Sequence, residues 1–336
     1  MVTANKCSSS SDSQRQMKEH NTLNDSRLIN NILSPELEQT IFQSLQEELQ
    51  PLWSEMFHKG GAVPRLVCLQ GDIIGISNDN DDGKGELTAD NHHNRSMVPL
   101  YRHPADEHPP LQQWTPTVRK LRDIASNLIS GQELNHALIQ MYRDGDDYIS
   151  EHADKTLDIE RGSAIVNLSV GATRTMILRP KKGVDNVKGT PRPSTRVAMD
   201  HASLFVLGWD TNRLMTHEIK RDKREGKFKT EEERAFDGVR ISITLRKIAT
   251  FLRNDGSLIG QGAPKTNTVT TQSRCLTAAE EEDLLLRAFS IENRQCDYDW
   301  EELYGSGFSV INFRITNQPV AASETDAHAV TRADDE

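Results

Sequence analysis

The chain has 336 residues, of which 35% are hydrophobic, or about 41% once the 20 glycines are added; this lies below the roughly 45–50% of a compact globular domain, so part of the chain is expected outside any packed core. Fifty acidic residues against 40 basic ones give a net charge of −10, the wrong sign for tight non-specific nucleic-acid binding. A mean hydropathy of −0.63, no apolar run near the length of a membrane-spanning helix and no apolar stretch behind the first lysine predict an intracellular protein with neither a transmembrane segment nor a secretory signal. Cys7, Cys68, Cys275 and Cys296 are too dispersed for a disulfide framework or a thiolate zinc site.

Residues 1–30, rich in Ser, Asn, Gln and charge, are expected to form a disordered tail. Ser34-Pro35-Glu36 reads as an N-cap, a first-turn proline and an early acid. Leu37, Ile41, Leu45 and Leu49 follow at four-residue spacing, which predicts a helix over about 35–57. The turn-rich stretch 71–96 predicts a long exposed loop, and about 60–110 is expected to serve as a lid. A second helix is expected over Trp114–Ile129, where Val118, Leu121, Ile124, Ala125 and Leu128 fall at helical spacing.

From about 134 the texture changes to short β-like runs at 137–142, 163–170, 173–180, 196–200, 203–208 and 239–248, with no helices between them, the pattern of a sandwich or barrel. The expected class is therefore mainly β with flanking helices (α+β), with one domain over 31–253. Residues 229–238 predict a charged insertion or short helix, 256–274 a loop, 277–293 a helix packed through Leu284, Leu285, Leu286 and Phe289, and 307–313 a final strand. Residues 254–317 are an extension of unknown role, and 318–336 an acidic, disordered tail.

On an extended segment the two-residue offset of His152 and Asp154 points both side chains to one face, as two ligands of one metal require. Alone the pair is weak, because a chain this rich in both residues produces it by chance. His217 lies 65 residues downstream, and Arg240, Ser242, Thr244 and Arg246 share one face of a strand while Ile241, Ile243 and Leu245 share the other. Two arginines on the inner face of a barrel call for an anion, and a dicarboxylate would answer them. Each position has a structural alternative: a core or surface histidine at 217, an ion pair with a structural carboxylate at Arg246, a core aromatic at Tyr142. Gly260–Thr266 fails the spacing of a phosphate loop and Pro264 removes an amide donor, while His92, His93 and His103 are expected to be solvated in the lid.

Taken together, LIQMYRDGDDYISEHADKT, AIVNLSVGATRTMILR, His217 and RISITLR resemble the AlkB-like branch of the Fe(II)- and 2-oxoglutarate-dependent dioxygenases, over about residues 64–253. The resemblance implies a double-stranded β-helix, a jelly-roll core, with Fe(II) held by His152, Asp154 and His217 and with O2 and 2-oxoglutarate as cosubstrates. It further implies that Arg240 grips the distal carboxylate of 2-oxoglutarate, that Arg246 pairs with its iron-chelating end, and that Tyr142 and Gln140 add hydrogen bonds. Gln140 and Ser242 stand where the family more often has Asn. Thr156 stands where the family has an acid that contacts the substrate base, so Thr156 and Arg161 are the candidate substrate contacts.

The implied reaction is hydroxylation of a C–H bond. On an N-methyl group the product collapses to formaldehyde and the free nitrogen, so the expected substrate is an N-alkylated nucleobase. The alternatives are a small-molecule metabolite and, least expected, a non-catalytic binding module. Within 72–107, Asp72, Asp79, Asp81, Asp82, Glu86, Asp90, Asp106 and Glu107 outnumber Lys84, Arg95 and Arg102, a balance that would repel a phosphate backbone. Any phosphates are then expected on Arg161, Arg174, Arg179, Lys181 and Lys182.

Overall fold

The computed structural model describes residues 17–23, 25–58, 61–75, 96–104, 109–181, 192–265 and 277–313. The chain begins with β1 (Lys18–Leu23), β2 (Ser26–Asn30), α1 (Pro35–Leu49), β3 (Leu66–Gly71), β4 (Ile74–Gly75), β5 (Ser96–Pro99), β6 (Leu111–Gln112) and α2 (Pro116–Leu128). There follow β7 (His136–Tyr142), β8 (Ile149–His152), β9 (Ile165–Gly171), β10 (Arg174–Pro180), β11 (Thr195–Met199), β12 (Ser203–Leu207), α3 (Trp209–Leu214), β13 (Met215–Ile219) and β14 (Arg240–Arg246). The described chain closes with β15 (Thr250–Arg253), β16 (Leu258–Gly260), α4 (Ala278–Arg294) and α5 (Trp300–Tyr304).

The larger sheet has the order β1-β2-β12-β9-β14-β7-β3-β6 and the smaller one β8-β13-β10-β11. From β7 to β14 the chain passes repeatedly between the two sheets, with antiparallel pairing throughout, which is the winding of a jelly roll. A third sheet, β16-β15-β5-β4, lies beside them.

Strand alternation divides the core in two. On β14, Ile241, Ile243 and Leu245 turn outward into an apolar layer with Ile41, Leu45 and Leu49 of α1 and Val118, Leu121 and Ala125 of α2. Between the sheets a second layer gathers Tyr142, Ile165, Met176, Leu178, Phe205, Leu207 and Ile219. The helices thus buttress one face of the larger sheet and leave the space between the sheets for a cavity. Among the described residues no helix is long and apolar enough to cross a membrane.

Several sequence expectations are corrected. The tail does not run to residue 30: β2 pairs with β12 and buries Leu28 and Ile29, a five-residue strand too short to register in the polar composition around it. Residues 1–16 and 314–336, which include most of the expected tails, lie outside the described residues. The first helix stops at Leu49 and gives way to one 3-10 turn, because Pro51 has no N–H for a further helical bond and its ring opposes the carbonyl four residues back. Most of the expected lid, 76–95 and 105–108, is also outside the described residues, but Leu66–Gly71 is an interior strand of the larger sheet. Asp72 accepts from Trp114 Nε1 at 2.6 Å and from Arg122 at 3.2 Å, and Arg102 is fully buried against Asp158 at 2.7 Å, so both charges are already paired and Arg102 is no part of a solvated lid.

Residues 258–260 form a strand within the expected loop, while 307–313 forms none. Phe308 and Phe313 are instead aromatic anchors packed with Leu285, Phe289 and Tyr304. Leu284, expected inside, is 43% exposed. The charged 229–238 segment is a single helical turn, Glu231–Arg234, with a capping box from Thr230 and Glu233, followed by a 3-10 turn.

Candidate active site

A cavity of about 510 Å³ opens between the two sheets. At one side β8 and β13 run antiparallel with His152 directly opposite His217, and Asp154 follows two residues after His152, where β8 has ended. The donor atoms of the three side chains all lie within 4.8 Å of one another. Asp154 Oδ1 is 3.7 Å from His152 Nε2 and 3.9 Å from His217 Nε2, and the two rings sit 4.3 Å apart.

The protonation pattern suits a cation. His152 Nδ1 lies 2.7 Å from the Ser150 carbonyl, which can only accept, so Nδ1 carries the hydrogen and Nε2 keeps its lone pair for a metal. Burial lowers both imidazole pKa values and keeps the rings neutral. Burial opposes ionisation of Asp154, but the nearby Arg246 guanidinium outweighs it and holds the carboxyl below its ordinary range. Arg246 donates to Oδ2 at 2.7 and 3.1 Å, which leaves Oδ1 facing the histidines. Two neutral imidazoles and one oriented carboxylate form the donor set that suits Fe(II), so the residues fit that ion.

Arg240, Ser242, Thr244 and Arg246 all line the cavity from β14. Arg240 is 1% exposed. Its Nε donates to Ser169 Oγ at 2.9 Å and one terminal nitrogen to Asn167 Oδ1 at 3.1 Å, its guanidinium lies over the Tyr142 ring at 5.3 Å, and Nη1 has no hydrogen-bond partner. No carboxylate pairs with it among the described residues, and burial pushes its pKa down to about 10. Gln140 also lines the cavity and, with its amide oxygen turned inward, accepts from Arg65 Nε at 2.7 Å.

Arg246 is found paired with Asp154, a carboxylate of the metal site itself. The two substrate contacts expected from the sequence are not at the cavity. Thr156 is 3% exposed; its hydroxyl bonds to Glu292 and accepts from Trp300 Nε1 at 3.1 Å. Arg161 pairs with Glu301 at 2.5 Å and stacks on Trp300. Three of the other expected phosphate contacts are engaged inside the fold. Arg174 donates to the carbonyls of Asp144, Asp147 and Lys220, Arg179 pairs with Glu218 at 2.5 Å, and Lys181 Nζ donates to the Glu292 carbonyl at 2.6 Å. Lys182 lies outside the described residues.

Sequence reasoning missed several members of the site. Asn167 bridges Arg240, Ser242 and Thr244, its Nδ2 donating to the two hydroxyls at 2.8 and 2.9 Å. Tyr101 lies under Arg246 at 4.1 Å and accepts from the Lys155 amide. Asn212 brackets the Asp154 main chain, accepting from its N–H and donating to its carbonyl, each at 3.0 Å. Alternation on 163–170 could have placed Asn167 inward; no local signal marks the other two.

A jelly roll with two histidines and a carboxylate beside a buried, uncompensated arginine defines a class: the non-heme iron oxygenases that take a dicarboxylic 2-oxo acid. The sequence model of the 2OG-Fe(II) oxygenase superfamily matches residues 25–246. The chain belongs to that family, whose members use Fe(II), 2-oxoglutarate and O2.

Among curated proteins it is 30% identical over 135 residues to the DNA oxidative demethylase ALKBH2 of Bos taurus, covering 40% of this chain and 44% of that one. It is 29% identical over 115 residues to the alpha-ketoglutarate-dependent dioxygenase alkB homolog 3 of Homo sapiens, covering 34% and 40%. The chain thus spans about half the length, or less, of the curated relatives it matches. Among solved structures, that of OsALKBH1 superposes on 68% of this chain and all of its own, at 14% identity and a TM-score of 0.43.

Proposed function

We propose that this chain is an AlkB-type dioxygenase that hydroxylates a substrate C–H bond, with oxidative demethylation of an N-alkylated nucleobase as its reaction. One observation carries the reading: a 510 Å³ cavity with His152, Asp154 and His217 at one side also receives a buried guanidinium, that of Arg240, with an unpartnered nitrogen. Bound there, Fe(II) with 2-oxoglutarate would supply the oxidation of a C–H bond by O2, coupled to decarboxylation of the 2-oxo acid to succinate.

The chain's own residues hold and screen the reactants. Arg240 grips the distal carboxylate, with Tyr142 and the Asn167, Ser242 and Thr244 polar group beside it. Arg246 pins the outer oxygen of Asp154 so that the inner one stays directed at the histidines. Met176, Phe205, Leu207 and Ile219 keep the space between them apolar and limit competing reactions with water. The nucleobase assignment rests on the ALKBH2 relatives, which are named as DNA oxidative demethylases.

A second reading, oxidation of a small molecule, is favoured by the inward engagement of Arg174, Arg179 and Lys181, which leaves them no phosphate to hold. Incubation with Fe(II), 2-oxoglutarate and N-methylated single-stranded oligonucleotides tests the choice. Formaldehyde released in step with succinate supports the nucleobase; succinate that forms only when a small metabolite is added, with the oligonucleotide unchanged, overturns it.

A further inference from the structure

Helix α4 lies beyond residues 25–246, yet it borders the same cavity as the metal ligands. Leu286, Phe289, Ser290 and Asn293 recur three and four positions apart, and this stripe of the helix lines the cavity. Asn293 bonds to the metal-ligand segment. Its Oδ1 accepts from the Ala153 amide at 2.8 Å and from Lys155 Nζ at 3.0 Å, that is, from the residues on either side of Asp154. Lys155 Nζ also donates to the Ala153 carbonyl at 2.8 Å, closing a small ring around the metal-ligating residue.

The neighbouring side chain holds the next stretch. Glu292, 1% exposed, accepts from the Thr156 amide at 3.0 Å and from its hydroxyl, and takes the Tyr304 hydroxyl at 2.6 Å. The extension is itself stitched to the core by Arg102, which donates to the carbonyls of Gly262, Phe308 and Val310 while paired with Asp158. A Cβ on Gly262 would lie 2.5 Å from that guanidinium, so only glycine allows the approach.

Asp154 sits after the end of β8, where no strand ladder fixes the main chain. We propose that α4 is a component of the metal centre, in which Asn293 is a positioning residue: by accepting from the Ala153 amide and from Lys155 Nζ on either side of Asp154, it joins Asn212, which holds the Asp154 main chain, in aiming Asp154 Oδ1 between the two histidines. Supports one step removed from a metal act through preorganisation of its ligands, and removing one costs metal affinity even when the fold survives.

The test is anaerobic titration of the full chain with Co(II), followed by visible absorbance, with melting temperature measured in parallel. Asn293→Ala should weaken Co(II) binding by about tenfold, whereas Asn293→Asp, which keeps both accepted bonds, should stay within about twofold of the parent. A lower melting temperature with unchanged Co(II) affinity in Asn293→Ala would mean that Asn293 only fastens the extension, and overturns the proposal. Should that variant not fold, Asn293→Leu, similar in volume, goes into the same titration, and parental affinity there overturns it equally. No substrate enters the experiment, so its outcome is independent of the nucleobase reading.

Discussion

Two arginines on the same face of β14 meet burial in opposite ways. Arg246, 2% exposed, has a carboxylate at 2.7 Å; Arg240, 1% exposed, has a serine hydroxyl and an asparagine oxygen but no carboxylate among the described residues, while each lies against an aromatic ring and keeps an unpartnered Nη1. Sequence places them six residues apart with the same side-chain orientation, yet one is paired with a carboxylate of the metal site and the other, in the function proposed above, keeps its charge for an incoming anion. An uncompensated buried cation costs several kcal/mol, and such a cost marks a functional group more often than a structural one.

The largest test of the contrast is Asp154→Ala. It removes a metal ligand and also strands Arg246 as a buried, unpaired cation, so Co(II) binding should vanish and unfolding free energy should fall by about 3–5 kcal/mol. Chemical denaturation of the metal-free protein reads the second effect, and a loss under about 1 kcal/mol would remove Arg246 from the role of brace.

Thr156→Val comes next. It takes the hydroxyl from Glu292 and Trp300, and the expected cost is about 1–3 kcal/mol of stability with substrate affinity unchanged. Weaker substrate binding at full stability would instead return Thr156 to the substrate site.

The metal site also predicts a graded acid response. Burial lowers the pKa of His152 and His217, so below about pH 6.5 the unfolded chain binds protons that the native one refuses, and stability falls as pH falls. Asp154, with its pKa depressed, adds a second loss that begins below about pH 4 and is complete once the folded carboxyl protonates. The melting temperature of the metal-free chain should therefore drop between about pH 7 and 5, and His217→Gln should flatten that slope. An unchanged slope would mean that the imidazoles titrate freely. The smallest effect belongs to Arg161→Ala, whose exposed pair with Glu301 is worth about 0–1 kcal/mol and whose loss should leave substrate binding untouched.

What was legible in the sequence was local and periodic. The two-residue offset of His152 and Asp154 and the alternation along Arg240–Arg246 follow from strand geometry, and the same period sends Ile241, Ile243 and Leu245 to the helices. What escaped was set by distant pairing. Asp154 and Arg246 are 92 residues apart, and Thr156 and Glu292 are 136 apart, so no spacing rule reveals that the first pair forms a brace or that α4 covers the second. Basic residues were misjudged for a related reason. Charge along β10 reads as a surface for phosphates, but Arg174 and Arg179 turn to carbonyls and carboxylates supplied by other segments.

The central claim, that Arg240 keeps its charge for the distal carboxylate, is tested most directly by calorimetric binding of 2-oxoglutarate and of 2-oxobutyrate, which lacks that carboxylate, to the metal-loaded parent and to Arg240→Met. The parent should prefer 2-oxoglutarate by about 1.5–3 kcal/mol, roughly tenfold to a hundredfold, and Arg240→Met should lose that preference while binding 2-oxobutyrate as the parent does. A preference that survives in Arg240→Met would contradict the assignment and move the carboxylate to another cation.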